Sequence, residues 1–199
     1  MTNMLILTTA KTKTLQADAA ITNATNAAPI AITTQNAHNL ETGDIVVVTG
    51  VNGNAAANGR FSITVTGPSS FTLDNSNGSG TYTNGGSASH IGWATAAQAI
   101  DNTVYPNGAQ YTLQSQIEKL PVGSALRVHW QDATDGIFQS TLPGPTVAAQ
   151  GPVNTPTMLS VTFAQFPALP VGQPGAKIRL LVYATGGPGT TFRFSSWVA

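Results

Sequence analysis

The chain has 199 residues, of which only 8% are charged, and its formal net charge is zero. An ordinary soluble domain carries roughly 25% charged residues, so little repulsion holds copies of this chain apart, and an assembled state is expected. The same scarcity argues against a nucleic-acid binder, which needs clustered basic residues to neutralise phosphates; the close basic pairs are only Lys11/Lys13 and Lys177/Arg179.

There is no cysteine, which rules out disulfides, thiolate catalysis and cysteine-ligated zinc. No stretch approaches the ~20 apolar residues of a membrane-spanning helix. Met4, Leu5, Ile6 and Leu7 are apolar but too few for a signal-peptide core, and no basic start precedes them. Hydrophobic residues reach 41%. Val, Ile, Phe and Tyr fall in short regular runs, which disordered segments lack.

Residues 1–20 show no helix caps and no long apolar stripe. They are expected to form an extended N-terminal arm, with Met4, Leu5, Ile6 and Leu7 seeking cover on a neighbouring subunit by strand addition. The commoner alternative is a frayed terminus.

Residues 21–88 predict a small antiparallel β-barrel or sandwich module. Residues 29–33 alternate as a half-buried strand does, and the 39–44 stretch turns the chain at Gly43-Asp44. The β-branched run 45–49 reads as a strand. An Asn-Gly pair at 52–53 signals a hairpin turn. Phe61, Ile63 and Val65 then share one face, opposite Arg60, Ser62, Thr64 and Thr66, until Gly67-Pro68 breaks the strand. Phe71 and Leu73 alternate in the next strand, 74–80 is a polar turn, and Tyr82 is placed in a last short strand.

The order His38-x-Leu40-x-x-Gly43-Asp44-x-Val46-x-Val48-x-Gly50-Val51-x-Gly53 carries a resemblance, as do Ala57-Asn58-Gly59-Arg60-Phe61-x-Ile63, Phe71-x-Leu73 and Gly80-x-Tyr82-Thr83-x-Gly85-Gly86. Together they are similar to a β-module of bacteriophage and prophage proteins, named for its likeness to the first catalytic-cysteine half-domain of ubiquitin-activating enzymes. The resemblance covers about a third of the chain. It implies a virion component assembled in the host cytoplasm, with other virion proteins as partners: the major capsid protein or tail proteins. Thioester chemistry does not transfer, because no cysteine is present.

Residues 89–108 are expected to be a connector. Within it, 93–100 contains Ala and Gln in helix-favouring proportion, enough for two helical turns. Residues 109–199 predict a jelly-roll-like β-sandwich. Tyr111, Leu113 and Ile117 open it. Leu126, Val128 and Trp130 share a face, as do Leu159, Val161 and Phe163, then Ile178, Leu180 and Val182, and finally Phe192 and Phe194. Two Pro/Gly-rich stretches, 141–156 and 167–175, are expected loops. The fold class is therefore all-β: an arm, a small barrel or sandwich, and a β-sandwich.

Candidate chemistry is sparse. His38, His90 and His129 have no partners at metal-ligand spacing. Structural roles are the plainer reading, and for His38 a side-chain cap on its turn. Asp74, Asp132 and Asp135 sit at turns, where Asp is a default former, and lack the pattern of a calcium loop. Asp132/Asp135 is the one tempting carboxylate pair for glycoside hydrolysis, and turn formation accounts for it. No nucleophile elbow, Walker loop or dinucleotide fingerprint occurs. Trp93, Trp130 and Trp197 are candidates for an interface or for stacking on sugars. The expectation is a non-enzymatic virion protein without cofactor, metal, nucleic acid or membrane. A capsid decoration (cement) protein is favoured, assembled as a homo-oligomer with a trimer among its open symmetries. A tail, fibre or baseplate component with a glycan-binding sandwich is the alternative.

Overall fold

The computed structural model describes residues 5–96, 98–99, 111–132, 147–163 and 177–198. In chain order the first seven strands are β1 (Leu5–Thr14), β2 (Ala19–Ala24), β3 (Ile30–Thr34), β4 (Asp44–Thr49), β5 (Gly59–Gly67), β6 (Ser70–Leu73) and β7 (Ser87–Ala94). The others are β8 (Gln98–Ala99), β9 (Tyr111–Lys119), β10 (Ala125–Asp132), β11 (Val147–Gln150), β12 (Thr157–Phe163), β13 (Lys177–Thr185) and β14 (Thr191–Val198). A single 3-10 turn, Ala55–Ala57, is the only helical element among the described residues. The chain divides into two compact units. One is Leu15–Ala94 with Gly187–Gly189; the other is Met1–Thr14, Thr95–Gly186 and Thr190–Ala199.

The first of these is a closed six-stranded barrel. Strand β2 pairs with β3, β3 with β6, β6 with β5, β5 with β4, β4 with β7, and β7 returns to β2, every pairing antiparallel. Closing the ring leaves none of the six as an edge strand within it. The alternation read from the sequence fills the interior. Ile30 and Ile32 on β3, Ile63 on β5, and Phe71 and Leu73 on β6 are all completely buried. Val46, Val48, Ile21 and Ala88 belong to the same core, and Phe61 and Val65 pack against it partly buried.

Among the described residues the second unit has eight strands in two four-stranded series, β1-β14-β9-β12 and β11-β10-β13-β8. Renumbered within this unit, the sheet orders are 1-8-3-6 and 5-4-7-2. The first strand pairs antiparallel with the last (β1 with β14), the second with the seventh (β8 with β13), the third with the sixth (β9 with β12) and the fourth with the fifth (β10 with β11). That is one long antiparallel hairpin rolled into two sheets, the definition of a jelly roll. Its inward residues alternate as expected: Leu126 and Val128 on β10, Ile117 on β9, Phe192 and Phe194 on β14. Strand β13 departs from simple alternation, because Arg179 and Leu181 are buried as well as Leu180 and Val182.

Three expectations are corrected. Residues 5–14 are not a free arm but the first jelly-roll strand, held on β14 of the same chain from Leu5↔Val198 to Thr14↔Thr191. Lys11 and Lys13 stand opposite Phe194 and Phe192. Lys13 is buried there while Lys11 is exposed, so this outermost strand carries a basic residue on its core side, which makes it a poor template for another chain's strand. The barrel consequently does not precede the sandwich; it is inserted between the sandwich's first and second strands. The helical reading of 93–100 also fails. Trp93 and Ala94 end β7, and Gln98–Ala99 is β8. Helix propensity is a weak bias, and the pairing of Trp93 with Asp44 on β4 and of Gln98 and Ala99 with β13 overrides it. Finally, Tyr82 lies in no strand.

Candidate functional site

The residues that carry the family-like pattern gather in the barrel's connecting loops. His38 is buried, and its Nδ1 accepts the Leu40 N–H at 3.0 Å, capping the turn that Asn39 opens at φ 54°. Its Nε2 lies 3.4 Å from the Ser70 carbonyl, and the ring meets Phe71 edge-on with centroids 5.3 Å apart. The turn closes where the Asp44 Oδ2 accepts the Glu41 N–H at 2.8 Å. Asp44 also approaches His90, Oδ2 to Nε2 at 3.6 Å, with both side chains buried. His90 Nδ1 accepts the Gln16 N–H at 3.1 Å, while Nε2 sits 2.9 Å from the Gly92 carbonyl. An acceptor at Nδ1 and a donor at Nε2 define the neutral Nε2–H tautomer. The ring thus ties the chain entering the barrel to β7.

The β4–β5 connection joins an antiparallel pair, as the Asn-Gly signal at 52–53 suggested, through a longer loop than the turn read there. It runs from Gly50 to Asn58 and is fastened by asparagine amides. Asn58 clamps Val51 through both its backbone groups, each at 2.9 Å. Asn52 bonds Asn84 side chain to side chain at 2.9 Å, beside the backbone bridge between the two residues. Asn54 is fully buried; its Nδ2 donates to the Thr25 carbonyl at 2.9 Å, and its Oδ1 accepts the Ser79 N–H at 3.0 Å. One side chain therefore stitches the β2–β3, β4–β5 and post-β6 loops. A buried amide is tolerated because its polar atoms are matched. The Tyr82 hydroxyl shares its proton between the carbonyls of Ile21 (3.1 Å) and Gly85 (3.0 Å). Sequence reasoning missed Asn54, since nothing in an Asn-rich loop marks the one asparagine that will be buried.

Gly53 is where the loop is tightest. Its φ is +84°, and a Cβ there would lie 2.0 Å from the Thr81 carbonyl oxygen and 3.0 Å from the Thr83 nitrogen. Gly123, in the β9–β10 turn, has a similar φ of +72° but open space around it. The left-handed conformation costs an alanine about 1–2 kcal/mol at either position, and only Gly53 adds an overpacking cost of about 1–3 kcal/mol against backbone. Gly53→Ala is therefore expected to lower stability by about 2–5 kcal/mol and Gly123→Ala by about 1–2 kcal/mol, read by urea unfolding. Equal losses for the two variants would contradict this packing.

The remaining candidate residues are dispersed. Asp74 accepts hydrogen bonds from Ser62 (3.0 Å) and Thr64 (2.9 Å), which spends its carboxylate on the barrel wall. Trp93 is 1% exposed, which withdraws it from surfaces that stack on a ligand. Trp130 lies in β10 opposite Leu180, and Trp197 in β14 opposite Gln114; their side chains, like that of His129, fall outside the described residues. Asp132 ends β10, whereas Asp135 and Met4 lie outside the described residues; Leu5, Ile6 and Leu7 are in β1. Among the described residues no cluster of His, Asp and Glu has metal-binding geometry. Nor is any helix among them long and apolar enough to cross a membrane.

The fold and its loops define an all-β protein of two units, a jelly roll carrying a closed barrel whose polar residues bind its own loops. The ubiquitin-activating enzyme E1 FCCH domain is the family whose model matches, over residues 25–91, a span that begins in the β2–β3 loop and ends within β7. Among solved structures, the chain is similar to a cryo-EM structure of Broad Bean Stain Virus, at 9% identity and a TM-score of 0.30, covering 92% of this chain and 84% of that one. No curated protein matches the chain.

Proposed function

We propose that the chain is a non-enzymatic structural component of a bacteriophage particle, a capsid decoration protein that stabilises the head by packing against capsid protein and its own copies. The observation that carries this reading is the jelly roll with an FCCH-like barrel inserted after its first strand. Jelly rolls serve in viral shells and in lectins, and fold alone does not choose between such roles. The barrel motif favours the particle: its histidines, asparagines and glycines are engaged in holding loops together. An 8% charged content suits a protein that spends its life against neighbours.

Quantitative mass spectrometry of purified particles tests the reading. The expected result is a copy number comparable to that of the major capsid protein. A few copies per particle would favour the tail or baseplate alternative, and absence from particles would overturn both.

A further inference from the structure

Four Asn-Gly pairs lie among the described residues: Asn52-Gly53, Asn58-Gly59, Asn77-Gly78 and Asn84-Gly85. Such pairs are chemically labile, because a glycine offers no side chain to hinder its nitrogen from attacking the preceding side-chain amide. The fold treats the four differently. Asn58 is clamped through both amide atoms onto Val51. Asn52 and Asn84 bind each other at 2.9 Å. Asn77 is exposed, and among the described residues its side chain makes no hydrogen bond.

We infer that Asn77-Gly78 is a site of spontaneous covalent modification in the folded protein, by deamidation to aspartate and isoaspartate. The Gly78 nitrogen, losing its proton, attacks Asn77 Cγ and forms the new C–N bond of a succinimide. The Cγ–Nδ2 bond breaks, and ammonia leaves. Water then opens the ring at either carbonyl, giving aspartate or isoaspartate, with no redox partner required.

One restraint opposes the step in the resting fold, since the Gly78 N–H donates to the Ala27 carbonyl at 2.9 Å. Ring closure therefore waits on local opening of this loop. At Asn52, Asn58 and Asn84 the side-chain amide must be released as well, so these sites are slower.

The product matters because of its position. Isoaspartate inserts a methylene into the backbone directly before Gly78, whose α-carbon faces Asn26 so closely that a Cβ would meet Asn26 Oδ1 at 2.4 Å and Asn26 Cα at 2.7 Å. The lengthened chain displaces the Gly78 N–H from Ala27 and the Ser79 N–H from Asn54. It also places a carboxylate on a chain of zero formal net charge. The inserted barrel thus carries a slow chemical clock at its loop seam.

Full-length protein would be held at mildly alkaline pH and sampled by peptide mapping with isoaspartyl-specific methylation, beside a denatured control. In the control all four pairs should convert at comparable rates. In the folded protein Asn77 should convert at least tenfold faster than Asn52, Asn58 or Asn84, and Asn77→Gln should remove that fast product while leaving the melting profile unchanged. Conversion at any of the other three as fast as at Asn77, or no conversion at Asn77 while the denatured control reacts, would overturn the proposal.

Discussion

A fragment of residues 15–94 is expected to fold alone, and a fragment of residues 95–199 is expected to fail. The first contains all six strands of the barrel, so its ring closes without help and presents no unpaired edge. The second lacks β1. Seven registered pairs join β1 to β14, and cross-strand pairs contribute about 0.2–1 kcal/mol each, so roughly 4 kcal/mol is lost. A domain stabilised by about 5–15 kcal/mol tolerates that poorly, and the loss also uncovers β14, whose Phe192 and Phe194 are buried in the intact chain. Removing residues 1–14 from the full chain should have the same effect on the jelly roll and spare the barrel, leaving the barrel's melting transition alone. If residues 1–14 were a dispensable arm, their deletion would leave calorimetry unchanged, and that outcome would refute the strand assignment.

This insertion is also what the sequence concealed. Alternation is local, so Phe61-Ile63, Phe71-Leu73, Leu126-Val128 and Phe192-Phe194 announced strands and their buried faces directly. Strand partnership is not local. Nothing in residues 5–14 states that their mate is 191–198, because backbone N–H and C=O groups are the same on every strand. Residues 1–20, with no helix caps and no long apolar stripe, read as an arm for the same reason. The error at Trp93 had a different cause: Ala and Gln bias a segment weakly toward helix, and strand pairing of Trp93 with Asp44 and of Gln98 and Ala99 with β13 outweighs that bias. Of the loop chemistry, the His38 cap was legible from its turn. The contact of Asp44 with His90 and the burial of Asn54 depend on segments brought together only by the closed ring.

Phe71→Ala should lower the stability of the barrel by about 3–5 kcal/mol. Phe71 is the largest fully buried side chain of the barrel's hydrophobic core and stands on β6 between two neighbours, opposite Ile32 of β3 and Val65 of β5. Truncation removes the transfer energy of a whole ring and leaves a void whose walls are strands locked in a closed ladder. A closed ring collapses onto a cavity less readily than an open sheet, which places the cost toward the upper part of that range. The ring is also the edge-on neighbour of His38, so the turn cap at Leu40 loosens with it. Phe71→Leu, which retains most of the apolar volume, should cost markedly less. Chemical denaturation of the 15–94 fragment measures both values without interference from the jelly roll. A loss below about 1.5 kcal/mol for Phe71→Ala, the level of a well-tolerated hydrophobic swap, would mean that the barrel is not packed around this residue.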